Sequence, residues 1–363
     1  MPLQSAHVFC SHIGHTGKTT LCFNMSCLYA KRHPDVKVLV IDLAEEGDLT
    51  KRLLGGVDAA RGKDDEVFGS IFRLLSEAGR QSAPSSWVSS LLRSSSSELD
   101  IASHAIRVSE HNPNVPENLY LVSSGAWPRN EDPLPEDKRR EIAKKIRESL
   151  ERASESWKLF CDTDGDRRPS PFTMLGYSLC SLAVVPLHLS KADLDRTETM
   201  LGLMNEMRKS GEISTQVLLI VWNMVTSQNN AAMDHRGLRL AFTPAKVSLD
   251  ILDACNTRIA GIAKDEDFAG LFVSGGAETP DDEFIQGSIA VMRRLADNVM
   301  KPAEELGMPF VQMTDKLEAS GHKQFTFETK DVKYSAGGDV IRGVDEAVRA
   351  LSEKFEALTV GAR

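Results

Sequence analysis

The sequence has no apolar run approaching the ~18 to 20 residues that a helix needs to cross a bilayer, although 41% of its 363 residues are hydrophobic. We therefore expect no integral membrane segment. No basic leader precedes the first apolar run, so we also expect no signal peptide and a cytoplasmic protein. The length and the hydrophobic fraction fit one large α/β core or two modest ones.

Cysteine is scarce, and its spacing points to neither disulfides nor a metal site. No CxxC pair occurs among the six cysteines, so we expect them to be small core residues in a reducing compartment. They are Cys10, Cys22, Cys27, Cys161, Cys180 and Cys255.

Positive charge is outnumbered by negative charge. The 43 lysines and arginines stand against 52 aspartates and glutamates, which gives a formal net charge of −9. Because non-specific affinity for nucleic acid comes from phosphate neutralisation by Lys and Arg, this balance argues against a protein that is permanently coated on DNA. Weak binding through a local basic patch remains open.

The N-terminal segment carries the most specific motif. Apolar residues 8–10 predict a strand, a glycine-containing loop follows, and residues 17–20 (GKTT) open a helical pattern with Leu21, Met25 and Leu28 on one face. Backbone N–H groups at the start of a helix form a preformed cradle for anions. This order of strand, loop and helix predicts a phosphate-binding loop, the P-loop, in which Lys18 reaches the β- and γ-phosphates and Thr19 binds Mg²⁺.

Two further apolar runs end in carboxylates. Residues 36–41 lead into Asp42, and residues 157–161 lead into Asp162, the position of a Walker B-type residue. In parallel sheets ligands bind at the carboxyl ends of the strands, and carboxylates hold Mg²⁺ there. We therefore expect Asp42 and Asp162 to complete a magnesium site with Thr19, and Lys18, Asp42 and Asp162 to be the catalytic residues.

The stretches IGHTGKTT and VLVIDLAEEGDLTKRLLGG, followed by Asp162-Thr163, resemble the ParA/MinD family of P-loop ATPases, whose deviant Walker A loop reads KGGxGKTT. The resemblance implies a doubly wound, mostly parallel sheet flanked by helices, ATP or ADP with Mg²⁺, and a homodimer that holds ATP between its subunits. A cargo adaptor or a ParB-like activator is the implied partner. The implied nucleotide-binding residues are Gly14, His15, Thr16, Gly17, Lys18, Thr19, Thr20 and Asn223.

Asn223 follows the predicted strand 216–222, where the family places an asparagine against the adenine edge. An amide can donate and accept in one plane, which matches the base. The alternative is a turn residue that ends the strand. In the loop itself, His12 and His15 stand where glycines are usual, and because histidine tolerates positive φ better than most side chains, we expect the loop to close.

Two departures from the family pattern concern catalysis. Ile13 replaces the signature lysine that reaches the partner's nucleotide, and Ala44 replaces the aspartate that orients the attacking water. An alanine methyl can neither accept a proton nor orient water, so we expect tight nucleotide binding with slow or absent hydrolysis. Arg167, Arg168 or Lys191 could supply the missing cation; alternatively, the charges after Asp162 pair with one another at the surface.

These features predict an ATP-binding switch that dimerises on nucleotide and positions or segregates a cargo, which could be DNA, a plasmid or a protein assembly. One alternative is a pseudo-ATPase that uses bound nucleotide as a scaffold or forms filaments. A second alternative is a P-loop ligase of the dethiobiotin-synthetase type. The first is distinguished by partner-stimulated phosphate release, and the ligase by a modified small molecule.

We expect one domain over 1–363, with a helical and serine-rich insertion at 57–115 and a terminal amphipathic helix at 339–358. The acidic residues on that helix favour packing against the domain over membrane binding. Further helices are expected at 66–80, 135–154, 191–207, 244–260 and 284–306, and strands at 118–123, 181–189, 216–222, 269–273 and 307–311. Residues 318–337 are expected to form a polar loop.

Overall fold

The computed structural model describes residues 2–61, 63, 67–79, 99–125, 134–165, 168–328 and 332–362. Over these ranges it contains fourteen strands: β1 (Leu3–Phe9), β2 (Lys37–Asp42), β3 (Ile106–Arg107), β4 (Leu119–Val122), β5 (Trp157–Asp162), β6 (Leu182–His188), β7 (Gln216–Val225), β8 (Ser227–Asn229), β9 (Met233–His235), β10 (Leu238–Leu240), β11 (Thr243–Pro244), β12 (Ile289–Arg293), β13 (Gln324–Glu328) and β14 (Lys333–Gly337).

The same ranges contain twelve α-helices: α1 (Lys18–Arg32), α2 (Asp48–Leu53), α3 (Val57–Arg61), α4 (Ser70–Gly79), α5 (Glu136–Arg152), α6 (Pro171–Leu179), α7 (Lys191–Lys209), α8 (Lys246–Lys264), α9 (Asp281–Ser288), α10 (Asp297–Glu305), α11 (Phe310–Ser320) and α12 (Gly338–Gly361). Within the described ranges, no helix is both long and apolar enough to span a membrane.

Eight of the described strands form one sheet in the order β12-β7-β6-β1-β5-β2-β4-β3. All neighbouring pairs are parallel except β3 with β4. The chain runs from β1 outward to β2 on one side, and later from β5 across β1 to β6 on the other. This is the doubly wound, mostly parallel sheet that the family resemblance implies, and it places the carboxyl ends of β1, β2, β5 and β6 side by side.

Helices cover both faces of the sheet because its strands are apolar on both sides. On β2, Val38 and Val40 pack into the core with α1, α11 and α12, whereas Leu39 and Ile41 pack into the core with α4, α5 and α6. The alternation follows from the two-residue period of a strand. The site at the strand ends is therefore held by a core that is buried on both sides.

The predicted helices at 135–154, 191–207 and 244–260 are confirmed as α5, α7 and α8, and the predicted strands at 118–123, 181–189 and 216–222 as β4, β6 and β7. The helix predicted at 66–80 appears as α4. The insertion expected at 57–115 lies partly outside the described residues, including its serine run at 94–97. Its described part contains α3, α4 and β3.

The single helix predicted at 284–306 is wrong. The segment contains the end of α9, the strand β12 and the helix α10. The apolar run at 289–292 suits either helix or strand, and β7 offers an open edge where β12 pairs in parallel. A sheet edge is satisfied by backbone pairing whatever the local helix propensity, so the tertiary context decides.

Three other predictions in the last third of the chain are also wrong. Residues 307–311 do not form the last strand, because Pro309 precedes the first turn of α11. Residues 318–337 are not a loop, since β13 and β14 pair as an antiparallel hairpin. At 269–273 the chain makes only one isolated bridge, from Phe272 to Val217.

The terminal helix α12 packs against the domain. Its stripe of Ile341, Val344, Val348, Leu351 and Phe355 is buried in the core shared with α1 and α11. Its N-terminal turn follows the hairpin directly. This arrangement agrees with the expectation that the helix covers the sheet.

Candidate functional site

The loop between β1 and α1 closes through two residues with left-handed backbone. His15 has φ 61° and Gly17 has φ 92°. A glycine is required at position 17 for a second reason, because a Cβ there would lie 2.2 Å from the Asn223 amide nitrogen. The histidine that replaces a family glycine therefore adopts the conformation expected of it, and α1 begins directly after this turn at Lys18.

Lys18 is buried and lies across its own loop. Its Nζ donates to Ser11 Oγ at 3.1 Å and to the Ile13 carbonyl at 3.2 Å. Ser11 Oγ also lies 2.9 Å from Thr16 Oγ1. The ammonium group is thus placed inside the turn that is expected to receive phosphate, with contacts that an anion could replace.

Asn223 lies near the end of β7 and contacts the P-loop. Its Nδ2 donates to the Thr16 carbonyl at 2.8 Å, and its Oδ1 accepts from the Met224 N–H at 2.9 Å. The side chain therefore braces the P-loop from the neighbouring strand. A role on the adenine edge stays a prediction.

Asp42 and Asp162 lie next to each other at the ends of β2 and β5. Asp42 accepts three hydrogen bonds, from the Ala44 N–H (3.1 Å), the Thr50 N–H (2.8 Å) and the Thr50 hydroxyl (2.7 Å). It thereby fixes the turn that leads into α2. Both carboxylate oxygens of Asp162 are buried and have no partner at full hydrogen-bond geometry, although the Thr19 hydroxyl lies near enough to favour the charged form.

The two carboxyls are costly to ionise where they lie. Burial raises the pKa of Asp42 to about 6, although hydrogen bonds from Thr50 and Ala44 oppose the shift. Burial, and then the charge of Asp42, raise the pKa of Asp162 to about 7, with Thr19 and Lys18 favouring the charged form. Two neighbouring buried carboxyls with raised pKa values hold either a proton or a cation.

Arg52 is a site residue that sequence reasoning did not single out. Its guanidinium donates to the Thr20 hydroxyl at 2.9 Å and to Glu304 at 2.9 Å, and its side chain is largely buried. Burial lowers the pKa of Arg52. It lies in the stretch that carries the family resemblance, but its partner on α10 is 252 residues away, and no local pattern indicates that contact.

The segments after β2 and β5 are joined to each other and to the P-loop. Asp164 accepts from the Glu45 N–H at 3.1 Å, and Thr163 Oγ1 donates to the Phe9 carbonyl at 2.8 Å. A Cβ on Gly165 would lie 2.3 Å from the Ile13 carbonyl oxygen. Both segments are therefore positioned to respond to whatever occupies the loop.

The structure describes two of the three cations that could replace the signature lysine of the family. Arg168 is exposed, and Lys191 is exposed at the first position of α7. Arg167 lies outside the described residues. Ala44 is buried, with its carbonyl accepting from Ser124 Oγ.

A cavity of about 280 Å³ opens between the ends of β6, β7 and β12 and the start of α8, lined in part by His188, Met224 and Arg294. Two larger cavities, each about 580 Å³, lie elsewhere: one between β10 and α12 and one beside α5. The smaller cavity is connected to the P-loop through His188, which contacts the His15 carbonyl, and its lining begins one residue after Asn223.

The residues at the loop fit a magnesium nucleotide. Asp162 presents two buried oxygens with no partner at full hydrogen-bond geometry, opposite a helix start that carries Lys18 and Thr19. Over the described residues, no group of three or more His, Cys, Asp or Glu side chains could hold a metal alone.

Comparison with known proteins gives one match in sequence and several in structure. The family model of the CobQ/CobB/MinD/ParA nucleotide binding domain matches residues 7–263. No curated protein matches the sequence. The structure is similar to that of pnob8 ParA, with a TM-score of 0.58 and 12% identity over 99% of each chain.

The structure is also similar to that of Cyanothece McdA. An aspartate-to-alanine variant of McdA in complex with ATP gives a TM-score of 0.56 at 13% identity, over 97% of this chain and 96% of that one. Apo McdA gives 0.55 at 13% identity, over 95% and 99%. At these identities the likeness establishes the fold alone. Because the family model spans most of the chain, this protein belongs to the CobQ/CobB/MinD/ParA family of nucleotide-binding domains.

Proposed function

We propose that the protein is a ParA/MinD-like switch that binds Mg·ATP in the P-loop, dimerises with ATP between its subunits, and positions or segregates a cargo in the cytoplasm. The observation that supports the proposal is the environment of the Asp162 carboxylate. This carboxylate is buried without a partner at full hydrogen-bond geometry beside the start of α1, and an unpaired buried charge is costly unless a cation or proton completes it.

The P-loop residues would hold the nucleotide. The N–H groups from Gly14 to Thr20 would cradle the phosphates, and Lys18 would exchange its contacts with Ser11 and Ile13 for phosphate oxygens. Thr19 and Asp162 would hold Mg²⁺, whose chemistry is to neutralise the developing charge of the phosphoryl group. Asp42 would support this shell from behind, since three hydrogen bonds already fix its carboxylate.

The base would lie near Asn223 and the cavity at the ends of β6 and β7. An amide with one face toward the loop is suited to a position between phosphate and base. The strand β7 would then both support the P-loop and contact the base.

Hydrolysis would be slow because Ala44 has no group to orient water. Glu45 and Glu46 are exposed and form a turn with Ala44 and Gly47. The second candidate function, a pseudo-ATPase scaffold, is favoured by this same position. A permanently bound nucleotide would distinguish it from a switch.

An exposed cationic residue of one subunit could replace the missing lysine and contact the nucleotide of the partner subunit. Arg168 and Lys191 are both exposed, so either could reach across an interface, and Arg167 stays a candidate on its sequence position alone. Transition-state charge on a phosphoryl group needs such a cation. A cargo adaptor or a ParB-like activator would bind the same dimer, and binding to DNA would be weak given the net charge of −9.

Calorimetry with ATP and ADP, with and without Mg²⁺, tests nucleotide binding. Purified protein should bind, Lys18→Ala should weaken binding by roughly a hundredfold, and Lys323→Ala, an exposed lysine on the β13 side, should match the unmodified protein. Light scattering after size exclusion in the apo, ADP and ATP states tests dimerisation. No binding to either nucleotide, with Lys18→Ala indistinguishable, would falsify the proposal.

A further inference from the structure

The guanidinium of Arg52, on α2, is held by hydrogen bonds at both of its terminal nitrogens. Nη1 donates to Thr20 Oγ1 at 2.9 Å, and Nη2 donates to Glu304 Oε1 at 2.9 Å. The side chain is 12% exposed. Because a planar guanidinium fixed at two nitrogens keeps one orientation, its contact with the first turn of α1 is set by the fold.

The contact with Arg52 decides where the Thr20 hydroxyl can point its own hydrogen. A guanidinium has donors and no acceptor, so the hydroxyl oxygen accepts and its hydrogen is directed elsewhere. Over the described residues the Thr20 hydroxyl donates no hydrogen bond, since the Asn24 amide contacts the Thr20 carbonyl, at 2.9 Å. Thr20 is half-buried and follows Lys18 by two residues at the start of α1. The hydrogen is therefore available to an acceptor outside the protein, at a helix start suited to anions.

The charge of Arg52 also reaches the carboxyls of the site. Burial, and then the charge of Asp42, raise the pKa of Asp162 to about 7, and the charge of Arg52 is among those that oppose the shift. Glu304 neutralises much of the guanidinium charge from the other side. We therefore expect Arg52 to act on a bound phosphate mainly through the hydroxyl that it orients.

We infer that Arg52 is a positioning residue of the nucleotide site, which holds the Thr20 hydroxyl as a donor toward a phosphate oxygen of the bound nucleotide. This role rests on the proposed binding of nucleotide in the P-loop. Without Arg52 the hydroxyl is free to donate to the carbonyl of the preceding helical turn, as threonines in helices commonly do. Helix α2 thus supports phosphate binding by a loop in which Ile13 has displaced the family's lysine.

A purely structural role of Arg52 makes a different prediction. Arg52 also contacts α10 through Glu304, so Arg52→Met removes two contacts at once. Glu304→Gln removes the ion pair with α10 and keeps the contact with Thr20. If Arg52 served only to hold α10, Glu304→Gln would weaken nucleotide binding as well; if it orients Thr20, Glu304→Gln leaves binding intact.

The test measures Mg·ADP affinity by calorimetry, at a temperature where circular dichroism shows every variant folded. Arg52→Met should weaken binding about tenfold, the value of one hydrogen bond to a charged group. Thr20→Val, which has the same shape without the hydroxyl, should weaken it by a similar factor. Thr20→Ser restores the hydroxyl and should bind within about threefold of the unmodified protein.

The combined variants show whether the two residues act as one unit. Arg52→Met with Thr20→Val should bind within about threefold of either single variant, because the second change removes nothing that the first has left. Glu304→Gln should bind as tightly as the unmodified protein or up to about threefold more tightly, because it removes a nearby negative charge. Arg61→Met is the matched control, since Arg61 is 76% exposed on α3, and it should bind as the unmodified protein does.

Losses that multiply to about a hundredfold in the double variant overturn the inference. So does Glu304→Gln binding as weakly as Arg52→Met, or Arg52→Met binding as tightly as the unmodified protein. In each of these cases the unmodified protein still binds Mg·ADP, so the proposed function stands. If the unmodified protein binds no nucleotide, the proposed function fails and the role of Arg52 fails with it.

Discussion

Asp42 and Asp162 occupy the same register position on the neighbouring strands β2 and β5, so two fully buried carboxyls lie side by side at the ends of the two strands. Only Asp42 is satisfied by hydrogen bonds. The pair is therefore incomplete in the protein alone, and a proton or a divalent cation completes it. The pH dependence of stability follows from this relationship.

Asp162→Asn should make the nucleotide-free protein more stable at alkaline pH than the unmodified protein. The pKa of Asp162 is raised from 3.8 to about 7 in the folded state, so the folded protein holds its proton more tightly than the unfolded chain does. Stability from this group is fully present below about pH 4 and is lost as pH rises to about 7. We expect a stabilisation of roughly 2 to 4 kcal/mol at pH 8 and almost none at pH 4, measured by urea unfolding.

Asp35→Asn, on an exposed aspartate before β2, should leave the unfolding free energy unchanged at both pH values. Adding Mg²⁺ with ADP should stabilise the unmodified protein at pH 8 and have little effect on Asp162→Asn. Equal stability of Asp162→Asn and the unmodified protein at pH 8 would contradict the account of this site.

Ala44→Asp should accelerate ATP hydrolysis. The backbone of Ala44 is held on both sides, by Asp42 through its N–H and by Ser124 through its carbonyl, so a side chain added here would occupy a fixed position. A group that orients or activates water contributes on the order of 10² to 10⁴ in rate. Single-turnover phosphate release should rise by at least a hundredfold.

Ala44→Asn is the matched control for that experiment, because it has nearly the same size but cannot accept a proton. It should give a small fraction of the rate of Ala44→Asp. If the unmodified protein already turns over ATP as quickly as Ala44→Asp, another residue positions the water.

Gly165→Ala should separate the segment after β5 from the P-loop. A Cβ at this position would lie 2.3 Å from the Ile13 carbonyl oxygen and 2.6 Å from the Gly14 nitrogen, and backbone cannot move aside as a flexible side chain can. We expect a loss of about 1 to 3 kcal/mol in stability together with weaker nucleotide binding. Gly202→Ala on α7 meets no atom within 4 Å and should instead stabilise by up to about 1 kcal/mol. Thermal unfolding that ranks the two variants in the opposite order would refute this close approach.

Local patterns were sufficient to predict where the candidate residues on one stretch of chain lie, whereas their roles stay predictions. Strands that are buried on both faces and end in a carboxylate identified Asp42 and Asp162, and the glycine-lysine-threonine turn identified Lys18, because strand, loop and helix are adjacent in sequence. The fold class followed from the resemblance of these stretches to the ParA/MinD family.

Contacts between distant segments could not be predicted in this way. Nothing near Arg52 indicates Glu304, and nothing near His188 indicates the His15 carbonyl, since each contact is created by packing. The run from Ile289 to Met292 suited a helix and a strand equally, and the open edge of β7 decided between them. The hairpin of β13 and β14 was missed because its outward positions are polar.

The ion pair of Arg52 with Glu304 should couple the start of α1 to α10. Arg52 is 12% exposed at its side chain, and it also donates to Thr20. Glu304→Gln would leave the guanidinium largely buried beside a neutral acceptor, so we expect a loss of about 1 to 2 kcal/mol in unfolding free energy. In a double-mutant cycle with Arg52→Met, the coupling energy should be about 1 kcal/mol or more.

Lys301 contacts the same carboxylate from an exposed position, so Lys301→Met should cost less than about 0.5 kcal/mol. Amide exchange should also rise in α10 for Arg52→Met and not for Lys301→Met. A coupling energy near zero, or matching exchange in the two variants, would mean that α10 is held by its apolar contacts without help from Arg52.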